Sequence, residues 1–449
     1  MKFDRSLFTP AAALAGLLFA ATSLCGAPAS QPPPPEPDTI DLKTAIGYAL
    51  ENNFTIRQAR ERIRQQDGVL IEVKAQSIPN VGAAGAYQLN EKEISQSSPA
   101  SNQAWSLSLT ASQVLYAGGG VRSAIRSSQL VREAALLDLK ASINEALLQV
   151  RTAYYQVLLT REKITVQEEN LALLQQQLKT TTDRFDAGTV SGFERLRAEV
   201  AVANAKTPLI TARNDYRLAI ESLRQALGLT ANRSGSPTKA PEVVGKLEYE
   251  PTTFELQAAT ESAHANRPDL QRIAKLTAAG EESVTTARSG YFPTVDLVGG
   301  WSMRKGPTDA LGDSREGLFV GLQSNWSVFD GRRTAGRVAQ AKSIVEQTRL
   351  TLVESELAAE VQVRRAYSSW QEATELVEAS KRVVEQAEEA VRLANARYSA
   401  GTGTQLDVLQ AQVELTTARS NQVQAYYNYN VAIATLRQAM GLTDALVQG

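Results

Sequence analysis

Between positions 136 and 185 an apolar side chain returns at every seventh residue: Leu136, Ile143, Val150, Val157, Ile164, Leu171, Leu178 and Phe185. A strict seven-residue spacing over so many turns keeps one seam facing a partner helix, and so predicts a long left-handed coiled coil. The spacing recurs at Val363, Trp370, Val377, Val384, Val391 and Tyr398. Read from Val121 to Ala187, the first of these helices is about 100 Å long at 1.5 Å per residue, far beyond an ordinary globular helix.

Elsewhere the period is two. In "AWSLSLTAS" (104–112) Trp105, Leu107, Leu109 and Ala111 share one face, and Ser106, Ser108, Thr110 and Ser112 the other. "LFVGLQSNWSVF" (318–329) places Leu318, Val320, Leu322, Trp326 and Val328 on one side, and "VGAAGAYQL" (81–89) and "VDLVGGWS" (295–302) are weaker versions. Each pair flanks a polar loop, 90–103 or 305–316, which predicts two hairpins of roughly ten-residue strands with one apolar face each. A helix of about 35 residues precedes each hairpin, at Leu42–Ser77 and Phe254–Ser289. The second is expected to break at "NRPDL" (266–270), where Pro268 suits the first turn of a restarted helix.

The order of elements is the same twice because the chain is duplicated. "RFDAGTVSGFERLRAEV" (184–200) returns 213 residues later as "RYSAGTGTQLDVLQAQV" (397–413), and "LRQALGLT" (223–230) as "LRQAMGLT" (436–443). Over 184–230 against 397–443, 19 of 47 positions are identical without a gap, too many for two unrelated coiled coils. Further upstream the offset is 214: Asn52 and Pro79 face Asn266 and Pro293. The expected organisation is a signal peptide at 1–29, a Pro-rich lead-in at 30–39, a first repeat at 40–230, a linker at 231–253, a second repeat at 254–443 and a short tail at 444–449. The period is far too long for a solenoid.

The segment quoted first reads as a hairpin tip. Gly188 and Gly401 stand where a helix ends in the left-handed conformation. Three residues on, Ser191 and Thr404 are N-cap residues, and three beyond those Glu194 and Asp407 complete S-x-x-E and T-x-x-D capping boxes. The returning helices, Gly192–Leu227 and Gln405–Met440, are half as long as the outgoing ones. The other half of each long helix therefore needs a second partner, and the leading helix of each repeat has the right length.

Composition removes function classes rather than adding one. Lys+Arg (47) and Asp+Glu (48) nearly cancel, so no basic footprint points to nucleic acid. The single Cys25 and single His264 leave no disulfide framework and no Cys/His zinc cluster. No phosphate-binding loop of the G-x-x-x-x-G-K-[ST] kind is present; the Gly-rich "YAGGGVR" (116–122) reads as an elbow between strand and helix. No cofactor, metal or catalytic constellation is expected. At the N-terminus, Lys2 and Arg5 precede the apolar run "AAALAGLLFAATSL" (11–24), and Ala27-Pro28-Ala29 offers an A-x-A-like cut, as in an export signal. Cys25 raises lipidation as the rival reading, against which stands the bulky Leu24 before it.

Four strands with one apolar face, and helices already committed to coiled coils, leave a sheet with open edges and no cover. A bilayer accepts such strands only in a closed barrel, which pooled strands from several copies would supply. Taken together, the two R-[FY]-x-A-G-T tips, "LDVLQAQ" (406–412), "NRPDL" (266–270), "YFPTVDL" (291–297) and the duplication resemble the outer-membrane efflux protein family, the TolC-like channels of Gram-negative bacteria. The resemblance spans about Ile40 to Leu442. It implies a mainly α fold with a membrane β-barrel portion. Four strands per chain would give a twelve-stranded barrel in a homotrimer, above a periplasmic α-barrel of long hairpins. The implied function is the passive exit duct of a tripartite efflux or type I secretion system in the outer membrane and its lipid. Its partners would be a periplasmic adaptor and an inner-membrane pump of RND or ABC type. The competing reading is a periplasmic coiled-coil adaptor or scaffold without a pore.

At residue level the resemblance assigns Tyr398 to the gate, with Asp407 and Glu194 as acidic constriction residues. Gly403 stands where the family has an Arg, and Gln410 where it has a second acid. Arg184, Gly188, Thr189, Ser191, Arg397, Gly401, Thr402 and Thr404 match the tips that dock adaptors. Each has a plainer reading: Tyr398 as a heptad core residue, Glu194 and Asp407 as helix caps, and the tip residues as hairpin formers. Trp105, Trp301 and Trp326 fit either an interfacial belt or strand packing.

Overall fold

The computed structural model describes residues 39–89, 103–229, 242–305 and 314–442. The expected signal peptide, lead-in, Cys25, C-terminal tail, most of both polar loops and the first part of the linker lie outside the described residues. The first repeat contains α1 (Leu42–Asn52), α2 (Phe54–Ala75), β2 (Asn80–Leu89), β3 (Gln103–Ala117), α3 (Gly120–Asp186) and α4 (Gly192–Leu227). The second contains α5 (Leu256–Asn266), α6 (Pro268–Arg288), β5 (Thr294–Lys305), β6 (Arg315–Asn325), α7 (Arg333–Ser399) and α8 (Gln405–Ala439). Two short strands, β1 (Thr39–Ile40) and β4 (Glu242–Val243), pair in parallel.

The long helices α3 and α7 each run 67 residues, as the seven-residue seam requires. The leading helix differs from expectation. It is broken in both repeats, at Asn53 as well as at Arg267. Asn53 caps α2: its Oδ1 accepts from the Thr55 and Ile56 amides, and its Nδ2 donates to Ala226 O at 2.7 Å. Without a proline, this N-cap is indistinguishable in the sequence from any polar helical residue.

The break is where the returning helix lands. Gly228 ends α4 at φ 74°, and a Cβ there would lie 2.5 Å from Asn52 O; Gly441 follows α8 at φ 73°, with Arg267 N 2.7 Å from its would-be Cβ. The repeated [LM]-G-L-T ending thus serves a left-handed turn and a backbone-to-backbone approach together. Each long helix therefore has two shorter partners: α3 packs on α4 along one half and α2 along the other, with α6 and α8 on its opposite flank. In turn α6 and α8 pack on α7, leaving α7 at one edge and α2 and α4 at the other.

Equivalent positions build equivalent cores. Ala45, Ala49, Val150, Ala219 and Leu223 are buried together in the first repeat, and Ala259, Ala263, Val363, Ala432 and Leu436 in the second. The linker straps across both. Tyr154 donates to Val244 O, Arg161 Nη1 to Val243 O at 2.7 Å, Tyr429 to Glu250 O at 2.6 Å and Asn430 Nδ2 to Glu248 O at 3.0 Å.

The other strands form one antiparallel sheet in the order β2-β3-β5-β6. Its register lines up the apolar residues in rows, Val81–Ala111–Gly299–Val320 and Ala83–Leu109–Trp301–Leu318. That face is open: Val81 is 63% exposed, Leu318 86% and Val320 80%. The opposite face carries small and polar rows such as Ala84–Ser108–Ser302–Gly317. β3 is longer than the alternation suggested and bulges between Val114 and Tyr116. β6 is shorter: the pattern ran on to Phe329, but the strand stops at Asn325, opposite Thr294, where β5 begins. Trp326 leaves the ladder and donates its indole N–H to Tyr291 O. The three tryptophans stand at different levels, Trp105 toward the loop end, Trp301 within the sheet and Trp326 at the helix end.

Candidate functional site

Both tips are built by the same local chemistry. At the first, the Gly188 amide donates to Phe185 O and the Thr189 amide to Arg184 O, with Gly188 at φ 73°. At the second, the Gly401 amide donates to Tyr398 O and the Thr402 amide to Arg397 O, again with φ 73° at the glycine. These are Schellman closures, in which a left-handed glycine lets two late amides satisfy the last carbonyls. The threonines add to them: the Thr189 and Thr402 hydroxyls donate to the same Arg184 and Arg397 carbonyls, at 2.9 and 3.3 Å. The R-[FY]-x-A-G-T motif is therefore a turn whose arginine contributes its backbone and leaves its side chain free for other contacts.

The caps differ between tips. Thr404 and Asp407 form the expected reciprocal box: the Asp407 amide donates to Thr404 Oγ1 at 3.2 Å and the Thr404 amide to Asp407 Oδ2 at 2.9 Å. The bonds from Thr404 hold the exposed Asp407 carboxyl below its ordinary range, helped by the charge of Arg397. At the first tip only half of the expected box is made, the Glu194 amide donating to Ser191 Oγ at 3.3 Å.

The structure brings the tips together through residues that sequence reasoning had separated. Arg184, grouped with adaptor docking, places its guanidinium 4.8 Å from the centre of the Tyr398 ring. Close by, Gln405 Nε2 donates to Thr181 Oγ1 at 3.3 Å in a buried bond between the hairpins. Tyr398 is half-buried, and its hydroxyl is buried without a partner. Arg195 covers Phe185 at 4.5 Å and Arg197 covers Phe193 at 4.8 Å. Asp407 does not join the Arg184–Tyr398 contact; it stays in its cap. At Gly403 a Cβ would sit 3.0 Å from the Arg397 Cβ, so a side chain there would press on the turn. No periodicity links Arg184 to Tyr398, because nothing local records which hairpins adjoin.

Tips, duplicated helical wall and open sheet together match a described family: the model for the outer membrane efflux protein covers residues 45–229 and 259–442, one match per repeat. The chain belongs to this family. It is an outer-membrane exit duct that extends into the periplasm, in a family of transport ducts rather than enzymes. It is 26% identical over 400 residues to Protein CyaE of Bordetella pertussis, covering 88% of this chain and 83% of that protein. It is 24% identical over 408 residues to the outer membrane efflux protein BepC of Brucella suis, covering 90% and 86%. Among solved structures the Campylobacter jejuni CmeC outer membrane channel superposes with a TM-score of 0.76 at 16% identity, over 91% of this chain and 88% of that one, a likeness of fold.

Proposed function

We propose that three copies of this efflux-family chain pool their sheets into one twelve-stranded membrane barrel above a shared helical wall. The observation that carries this reading is the sheet itself. β2 and β6 are both free edges, and the exposed face holds Leu318, Val320 and Leu322 at 70% exposure or more. In water that combination is an aggregation hazard; in lipid it is the outside of a barrel, with the small polar face lining the lumen. The duct is passive and carries no catalytic step. Cargo crosses the periplasmic tips, where Tyr398, Asp407 and Glu194 narrow the passage and a ring of carboxylates draws cations to the mouth. The exposed turns around Arg184, Gly188, Thr189 and Ser191, and around Arg397, Gly401, Thr402 and Thr404, receive a periplasmic adaptor. Through it the duct serves an inner-membrane pump of RND or ABC type. The relative named as an outer membrane efflux protein supports export through such a duct. The test is detergent-extracted protein weighed by native mass spectrometry and then placed in a planar bilayer. Trimers with unitary current are expected; a water-soluble monomer without current would overturn the reading.

A further inference from the structure

The charges of the sheet are few, and they are sorted by face and by end. Its four strands hold two acids, Asp296 and Glu316. Successive residues of a strand point to opposite faces. Glu316 therefore stands on the apolar face with Leu318, and Asp296 on the small polar one with Ser302. Two residues beyond the row Ala84–Ser108–Ser302–Gly317, toward the loops, the polar face continues as Ala86–Ser106–Arg304–Arg315. Arg304 and Arg315 are direct cross-strand partners there, and both are exposed.

Two like charges directly opposite each other on one face of a sheet are destabilising. No acid of the four strands stands beside this pair. Glu316 points to the other face. Asp296 shares the face but lies eight residues from Arg304 along β5. At 3.4 Å per residue that is about 27 Å, well beyond the ~8 Å over which physiological salt screens a charge. The nearest neighbours in the two loop-end rows are the neutral Ser106, Ser302 and Gly317. The polar face thus ends at the loops in a purely cationic row, and begins at the helices with an acid.

We propose that Arg304 and Arg315 form an oxyanion site at the outer mouth of the duct, taking solutes that carry carboxylate or phosphate groups. In the barrel proposed above the polar face lines the lumen, so two arginines from each of three copies make one ring. A guanidinium grips a carboxylate or a phosphate through two parallel N–H···O bonds. Rings of arginine or lysine are how pores favour anions. Asp407 and Glu194 give the periplasmic tips the opposite sign, so the duct is polar from end to end. An anionic solute that has passed the tips is held last at the arginines before it leaves.

This site rests on the proposed barrel, and the test keeps the two apart. Protein is added to one chamber of a planar bilayer in about 0.1 M KCl, where charges are screened over about 10 Å. The long polar helices cannot cross the lipid, so the loops face the other chamber. Citrate, a tricarboxylate, is added to either chamber and the unitary current recorded. Citrate on the loop side is expected to block at a concentration about ten-fold lower than on the helix side. Arg304→Gln with Arg315→Gln should abolish that preference and move the zero-current potential in a KCl gradient toward the potassium potential. Arg304→Lys with Arg315→Lys keeps the charge and should keep the sided block. Equal block from both sides in the wild type overturns the site, as does sided block that survives the Gln pair or is lost in the Lys pair. In each case the current itself leaves the barrel standing. Wild-type protein that carries no current removes barrel and site together.

Discussion

The guanidinium of Arg184, on the first hairpin tip, sits 4.8 Å from the centre of the Tyr398 ring on the second. It is a direct side-chain tie between the hairpins, and the neighbouring Thr181–Gln405 bond is another. A cation over a tyrosine face is worth about 0.5 to 2 kcal/mol, depending on how dry it is. Losing it should shift a two-state tip by about two- to thirty-fold. Arg184→Ala and Tyr398→Ala are both expected to raise the open fraction in single-channel recordings. Tyr398→Phe keeps the ring and removes a buried hydroxyl that has no partner, so its conductance should match wild type. Equal behaviour of the Ala and Phe variants would separate the contact from gating.

Glycines of the same backbone conformation should differ in cost. Gly188 and Gly228 have φ of 73° and 74°, yet a Cβ at Gly188 meets open space while one at Gly228 meets Asn52 O at 2.5 Å. Gly188→Ala should cost about 1 kcal/mol, the left-handed strain alone. Gly228→Ala adds overpacking of about 1–3 kcal/mol. Thermal unfolding of the detergent-solubilised protein ranks them, with Gly228→Ala lower. Gly441→Ala should follow Gly228→Ala, because Arg267 N stands 2.7 Å from its Cβ position.

The second tip should lose its cap in acid. The Asp407 pKa lies below its ordinary 3.8, foremost because of the bonds from Thr404. A depressed carboxyl contributes stability that is present above its unfolded value and is lost as pH falls through its folded value. The protection factors of the Leu406–Val408 amides, corrected for the intrinsic pH dependence of exchange, should therefore hold down to about pH 4 and fall below it. Asp407→Asn should show the lowered protection already at pH 7. If that variant exchanges like wild type at pH 7, the carboxylate is not what holds the turn.

The restart of the second leading helix depends on one buried cation. Arg267, 9% exposed, holds both oxygens of Asp269, at 3.1 and 2.7 Å, and donates to Gln362 at 2.8 Å across to α7. Burial pushes the Asp269 carboxyl up, but the bonds and charge of Arg267 outweigh it and leave it lowered. Asp269→Asn leaves the guanidinium without its counter-charge. With Asp269 partly solvated, the expected loss is at the low end for such pairs, about 3 kcal/mol. Arg267→Lys should not rescue stability, since an ammonium cannot reproduce the planar fork. A chemical denaturation midpoint unchanged in both variants would contradict this.

Much of this architecture is written locally, and for local reasons. The seam from Leu136 to Phe185 specifies a long helix because a period of seven needs no knowledge of the partner's identity. Gly188 with Thr189, and Gly401 with Thr402, specify turns because the bonds they make reach no more than five residues back. The alternation in 104–112 specifies a one-faced strand, and the duplication specifies that each device is used twice. The break at Asn53 is not legible locally because its decisive bond, to Ala226, spans 173 residues. The alternation overruns β6 because a strand ends where its partner begins, at Thr294, and not where its own alternation stops.

Sequence alone determined the helices, the turns, the strand faces and the repeat, since each follows from bonds and spacings within a few residues. Tertiary structure alone decided which elements meet. It set Arg184 on Tyr398, kept Asp407 in its cap, landed Gly228 on Asn52 and paired Arg304 with Arg315. The physical reason is that two helices of the same period can pair in many registers. Only the simultaneous packing of the whole wall selects one.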